Sequence, residues 1–324
     1  MKKATFLVTS IVVLTASLAL RADSVLTTIN VGSAEGTGIA ANPATNKIYL
    51  AISNPGQVVV INGKTQQAIK TIPIQPFGHS ITVNPLTNRI YASGCSSGTC
   101  HIFVIDGKND TIVTAIPIAS GSFIGIQGLA VNPATDLIYA SDADNGQYIV
   151  IDGKTNTVVN QVSVFIQPAG IAVNPKTNRI YIGDGGFSGS VLVYDGATNA
   201  QVARIHVSSS VEGMATNFRI DRAYAVVVGS NTLAVLDGAT NQENTEVPTG
   251  QFSLNVDVNL VNNKVYVTNG NDSTVTIIDG NTNQVLQTLP IPAAQPEGVA
   301  VNIATGFTYV SDFSSAKVVV LQPN

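Results

Sequence analysis

The sequence predicts an all-β fold: a seven-bladed β-propeller of four-stranded antiparallel blades, closed by an N-terminal strand that completes the last blade. Three observations predict it. Tyrosines recur at positions 49, 91, 139, 181, 224, 266 and 309, at intervals of 42, 48, 42, 43, 42 and 43 residues, and repeats of ~40–50 residues mark propellers or solenoids. An asparagine stands seven residues before each of them, at 42, 84, 132, 174, 217, 259 and 302. After each of the first six comes a turn dipeptide: Asn62-Gly63, Asp106-Gly107, Asp152-Gly153, Asp195-Gly196, Asp237-Gly238 or Asp279-Gly280.

Each unit reads as four short strands. Strand a has the pattern Gly-Ile-Ala-Val, as at residues 170–173. An Asn-Pro-x-Thr-Asn turn leads to strand b, which carries the tyrosine. A variable loop leads to strand c, such as residues 58–61, and the Asp-Gly-x-Thr-Asn turn leads to strand d, such as residues 157–162. Asp-Gly and Asn-Gly suit such turns because they tolerate φ > 0. The first turn ends on Asn46, Asn88, Asp136, Asn178, Asp221, Asn263 or Gly306, the residue types that visit the left-handed region most readily. We read that position as backbone geometry.

The two ends complement each other. After Tyr309 the chain supplies a strand c at residues 318–321 and stops, so the seventh unit lacks its outer strand. Residues 25–31 resemble residues 285–291, which form a strand d. The N-terminal strand is therefore expected to pair with the last strand c, a closure that removes exposed sheet edges. An open β-solenoid would not need this complement.

Ahead of that strand, Lys2 and Lys3 precede an apolar run over residues 6–20, interrupted by Thr9, Ser10, Thr15 and Ser17. The pattern predicts a secretory signal peptide over residues 1–22, cleaved after Ala19 or Ala22, and a single propeller domain over 23–324. The run is shorter than the ~20 apolar residues of a membrane span. A periplasmic or secreted, monomeric protein with no span after cleavage is expected.

Export gives the two cysteines a meaning. Cys95 and Cys100 have four residues between them, and in an oxidising compartment they most simply close a hairpin loop as a disulfide. The sharper alternative is covalent haem at Cys100-His101, for which the spacing departs from Cys-x2-Cys-His.

Composition narrows the function. Of 324 residues 44% are hydrophobic and 11% charged, with a formal net charge of -4 and no Trp. The low charge excludes a disordered tail protein, and the acidic balance argues against nucleic acid as a partner. Absence of Trp excludes propellers built on a Trp motif.

The repeats resemble the YVTN β-propeller family. Its tetrapeptide stands as Tyr266-Val267-Thr268-Asn269, with near-copies beginning at Tyr139, Tyr181 and Tyr309. The Asn-Pro-x-Thr-Asn and Val-x-Asp-Gly-x-Thr-Asn phrases belong to the same pattern, and the resemblance spans residues 24–321. It implies the propeller fold and an exported or surface-associated protein, often with no assigned reaction. The last three units depart from it, carrying Phe218, Leu260 and Ile303 in place of Pro.

Propeller geometry puts the a–b and c–d turns on one face, here the bottom, and the b–c and d–a loops on the other, the top. The bottom turns are nearly uniform. The top loops vary and hold both insertions, the Cys95–Cys100 loop and residues 119–126, and function usually resides on such loops. Just before each strand a lie Thr37, His79, Gln127, Ala169, Glu212, Leu254 and Glu297, a ring expected at the channel mouth. Three residues after the repeat tyrosines lie Asp142, Asp184 and Asp312, beside Ile52, Gly94, Val227 and Asn269.

One reading joins His79, Gln127, Glu212, Glu297, Asp142, Asp184 and Asp312 into a ligand- or cation-binding funnel, since hard cations want several oxygens. The other has the aspartates capping hairpin turns above a channel that holds water. Of the histidines, only His79 is placed for the channel; His101 starts a strand c and His206 lies in a strand d. The paired histidines of propeller lyases resembling streptogramin-cleaving enzymes are not visible, and nor is a Gly-x-Ser-x-Gly elbow or a phosphate loop.

The basic residues Lys47, Arg89, Arg179, Arg222 and Lys264, with Lys64, Lys108 and Lys154, lie in or beside bottom turns that also carry Asp, which reads as a solvated face. The sequence thus supports an exported, non-catalytic binding scaffold whose partner is a protein or an extracellular polymer docking near blades 2 and 3. It requires no cofactor. The alternative is a metal-assisted lyase or lactonase at the mouth, with His79 as base or ligand and Glu212 and Glu297 holding a divalent cation.

Overall fold

The computed structural model describes residues 22–96, 98–118, 125–186 and 188–323. Of the predicted leader only Ala22 falls within them, and the insertion before blade 3 lies outside them through residue 124. The described chain forms seven four-stranded antiparallel sheets. In blade 1 they are β2 (Gly36–Asn42), β3 (Lys47–Ile52), β4 (Gln57–Asn62) and β5 (Gln67–Pro73), in simple up-and-down order. The last blade is β26 (Pro296–Val301), β27 (Thr308–Asp312) and β28 (Lys317–Gln322), and its fourth strand is β1 (Ser24–Asn30). Thr28 faces Val319 and Ile29 faces Val318 in that pairing, as the sequence predicts.

The strand sequences follow from their place in the blade. Strands b and c are covered on both faces by neighbouring blades, so they are buried along most of their length and strands c read as apolar runs: Val58, Val59, Val60 and Ile61 are all buried. The outer strands alternate or stay polar because their outer edge meets water; β5 buries only Ile72. Apolar packing is organised at the seams. Each of seven buried clusters joins two successive blades; one unites Ile48, Leu50 and Ile61 of blade 1 with Tyr309, Val318 and Val320 of blade 7. The ring therefore closes by hydrophobic contact and by hydrogen bonds.

Two local devices differ from expectation. The glycine of each Asp-Gly turn is not the left-handed residue. That role falls three residues later, to Gln66, Asp110, Asn156, Asn199, Asn241 and Asn283, with φ of 54–59°. The glycine is required by space: a Cβ on Gly63 would come within 2.2 Å of Asn46 Oδ1, and one on Gly153 within 2.7 Å of Asp136 Oδ1. The c–d turn thus packs on the a–b turn of its own blade.

The left-handed residues of the a–b turns do more than set backbone geometry. Asn42 Nδ2 donates to Asn88 Oδ1 of the next blade at 2.8 Å. The relation repeats from Asn84 to Asp136, Asn132 to Asn178, Asn174 to Asp221 and Asn217 to Asn263, and closes from Asn302 to Asn46. At the seventh seam the position equivalent to the acceptor is Gly306, which has no side chain to accept from Asn259.

Three of the eight basic bottom residues staple blades, which corrects the reading of a merely solvated face for those three; Lys64, Lys108 and Lys154 are exposed, and Arg89 and Arg179 pair with Asp106 and Asp195 of their own blades. Lys47 bonds Asp110 of blade 2 at 2.7 Å, and Arg222 donates to Gly280 O and Asn283 Oδ1 of blade 6. Lys264 Nζ and Tyr266 Oη of blade 6 both bond the buried Asp23 carboxylate, at 2.6 and 2.7 Å. Asp23 precedes β1 and so stands where other blades have a c–d turn.

Candidate functional site: the channel mouth

Six of the seven strands a begin with a β-bulge; blade 3, for example, pairs Ile126 with Asp142 and Gly128 with Ser141, leaving Gln127 between them. The same shift falls across Thr37, Ala169, Glu212, Leu254 and Glu297. A bulge re-aims the extra residue. Here it turns polar side chains out of the ladder and toward the axis at the top of the ring. His79 reaches the same level from the segment before β6 (Ile81–Asn84).

The resulting cavity of about 100 Å³ is lined by Thr37, Gly38, His79, Gln127, Glu212, Leu254, Asn255 and Glu297. It therefore gathers four of the residues predicted at the mouth: His79, Gln127, Glu212 and Glu297. Ala169 is buried and does not line it. Thr37 turns its hydroxyl to Ala51 O and Gly78 O.

The mouth buries its titratable side chains and is one-sided in charge. Burial pushes the Glu212 carboxyl up, and burial together with the Glu212 charge pushes Glu297 up to about 7. Burial holds His79 below the usual imidazole range, so near neutral pH it is an uncharged donor and acceptor. Among the described residues no lysine or arginine lines the cavity.

Asp142, Asp184 and Asp312 stand elsewhere. All three are buried at the ends of strands b, with carboxylates turned into top loops. Asp142 accepts from Asn145 Nδ2 and Gln147 Nε2, both at 2.8 Å. Asp184 accepts from Gly186 N at 3.0 Å and from the Ser188 hydroxyl. Asp312 accepts from Ala294 N, Gln295 N and Ser314 N at 2.9–3.1 Å. None of the three lines the mouth. Among the described residues no three His, Cys, Asp or Glu side chains stand together as a metal-holding group.

Below the mouth the channel widens to a cavity of about 360 Å³ walled by strands a. One acid on that wall is absent from the sequence-based set. Asp257 accepts from Val258 N and from Val301 N of blade 7, both at 2.7 Å, and burial still pushes its carboxyl up to about 6. A signal existed: the equivalent positions are Ala40, Thr82, Ala130, Ala172, Ala215 and Ala300. A single acid in a column of small residues marks it.

At the periphery blade 2 stands out. Its strands β7 (Arg89–Ser96) and β8 (Thr99–Asp106) run two residues longer than most of their counterparts. Cys95 and Cys100 face each other across them and are disulfide-bonded. Beside this hairpin lies a cleft of about 400 Å³ lined by Pro73, Ile74, Gln75, Pro76, His101, Phe103 and Ala115. His101 Nδ1 and Gln75 Oε1 stand 2.9 Å apart in it. His206 ends an outer strand, β17 (Gln201–His206), and is exposed.

The fold and these two concavities define a seven-bladed β-propeller with a polar mouth. No family model matches the chain, and no curated protein matches it. Among the described residues no helix is long and apolar enough to cross a membrane.

Proposed function

We propose that the protein is an exported, non-catalytic binding scaffold of the YVTN repeat type, monomeric, that presents its top face to a protein partner in the periplasm or outside the cell. The observation that carries this reading is the blade 2 projection: a disulfide-stapled hairpin flanking an apolar cleft that ends in a polar His101–Gln75 pair. Binding sites are concave, mostly apolar and marked by few placed polar groups, and a rigid hairpin loses little freedom on docking. The lysine-flanked apolar leader and the disulfide support export.

The test places photo-crosslinking residues singly at Gln75 and Thr99 on the top and at Lys64 and Lys154 on the bottom, in cells that make the protein. Adducts from the top positions alone are expected. Adducts from the bottom alone would overturn the reading.

A further inference from the structure

We infer that the channel mouth receives a lysine or arginine side chain borne by an apolar segment of a partner protein. This rests on the top-face reading and names the chemistry of its partner. Glu212 and Glu297 reach the cavity from blades 5 and 7, and their carboxylates make no hydrogen bond or ion pair with a described residue. The uncharged His79 adds an acceptor, and among the described residues no lysine or arginine lines the cavity. Burial, with repulsion by the Glu212 charge, disfavours ionisation of Glu297 there. An incoming cation relieves that repulsion.

Size and surroundings choose the cation. A space of about 100 Å³ admits an ammonium or guanidinium group. Hard metal ions take six or more oxygens, which the described side chains do not supply there.

The top-face connections supply the apolar half. Phe77, Phe165 and Phe252 are 63%, 94% and 40% exposed. All three stand on d–a connections of the top face, before blades 2, 4 and 6. All have φ of 53–55°, a region bulky side chains rarely adopt. Phe77 N is fixed to Ser53 O, and Phe252 N to Asn231 Oδ1. One exposed apolar residue is ordinary; three of one type held out on the face that carries the acidic mouth match a segment that is both cationic and apolar, and aromatic rings attract ammonium and guanidinium groups as well.

A random dodecapeptide display library selected on the folded protein tests this. The selected peptides are expected to carry Lys or Arg beside aliphatic or aromatic residues. Replacing that basic residue with norleucine, or combining Glu212→Gln with Glu297→Gln in the protein, is expected to weaken Kd at least tenfold. Phe165→Ser, at a 94% exposed position, is expected to weaken it comparably with no change in melting temperature. Recovery of no peptide, or undiminished binding of the norleucine peptide, overturns the inference. Neutral or acidic peptides that still lose binding in Phe165→Ser remove the cation and leave the top-face reading standing. Peptides indifferent to Phe165→Ser and to Phe103→Ser remove both.

Discussion

Asn302 Nδ2 donates to Asn46 Oδ1 at 2.7 Å, joining residues 256 apart in the chain across the closure of the ring. The same bond links five other pairs of successive blades, so the repeated asparagine and the left-handed turn residue form one structural unit split between neighbours. Only the blade 6 to blade 7 seam lacks it, because Gly306 stands where the acceptor would be. There Asp257 reaches Val301 N and Asp23 holds Lys264 and Tyr266 instead.

The first prediction compares two asparagines. Asn132→Ala removes an inter-blade bond and a turn bond to Ala134 N and leaves Asn178 with an unmet acceptor. Asn259→Ala removes turn bonds to Val261 N and Asn262 N with no acceptor across the seam. Buried bonds of this kind cost about 1–3 kcal/mol when one partner is lost. Urea denaturation should show Asn132→Ala the more destabilised, by about 1 kcal/mol.

Asp23 acts as the latch of the closing blade. Asp23→Ala leaves a buried ammonium and a buried phenol unpartnered, which costs about 3–5 kcal/mol. Pairing it with Lys264→Met removes the stranded charge and should restore much of the melting temperature. Equal melting of the single and double variants would refute the latch.

The turn glycines give a test of space against backbone. Gly153→Ala drives a methyl group against Asp136 Oδ1 and its carbonyl, and should destabilise by about 1–3 kcal/mol. Asn156→Gly, at the true left-handed position of that turn, should stay within about 1 kcal/mol of the wild type. Asn156→Ala separates the alternatives: at the observed φ of 55° it should cost about 1–2 kcal/mol, whereas it would be near neutral if the glycine held the left-handed position; the denaturation midpoint decides.

The mouth predicts a pH dependence with a definite sign. Glu297 has a folded pKa of about 7, above its unfolded value, so the folded state holds a proton that the unfolded chain releases. That contribution is fully present below the unfolded carboxylate value and is lost as pH rises to about 7. Asp257 acts in the same sense up to about 6. Glu297→Gln should therefore flatten the fall in melting temperature between pH 5 and 7.5, and be more stable than the wild type at the upper end by about 1–3 kcal/mol. In Glu212→Gln the Glu297 carboxyl, followed by ¹³C NMR, should titrate lower.

Some of the site was legible in the sequence and some was not. The place before strand a is fixed in the repeat, and six of its seven residues, His79, Gln127, Glu212 and Glu297 among them, line the mouth, while Ala169 does not. Asp142, Asp184 and Asp312 share an equally regular spacing, yet their carboxylates turn into the loops. Spacing gives level and face; it does not say whether nearby backbone amides will claim a carboxylate first. Asp257 lies inside a strand a, two residues before Asn259, and belongs to neither of the two regular rings that mark the top face.

The sequence alone determined the number of blades, the strand order, the closing strand and the turn positions. Each is written in local periodicity and turn chemistry, which need only a few neighbouring residues to act. Tertiary structure alone decided which side chains meet across a seam. The Asn302–Asn46 bond, the Asp23 latch and the Glu212–Glu297 repulsion each join residues of different blades. Their geometry depends on the ring having closed, because only closure brings those side chains within hydrogen-bond or Coulomb range.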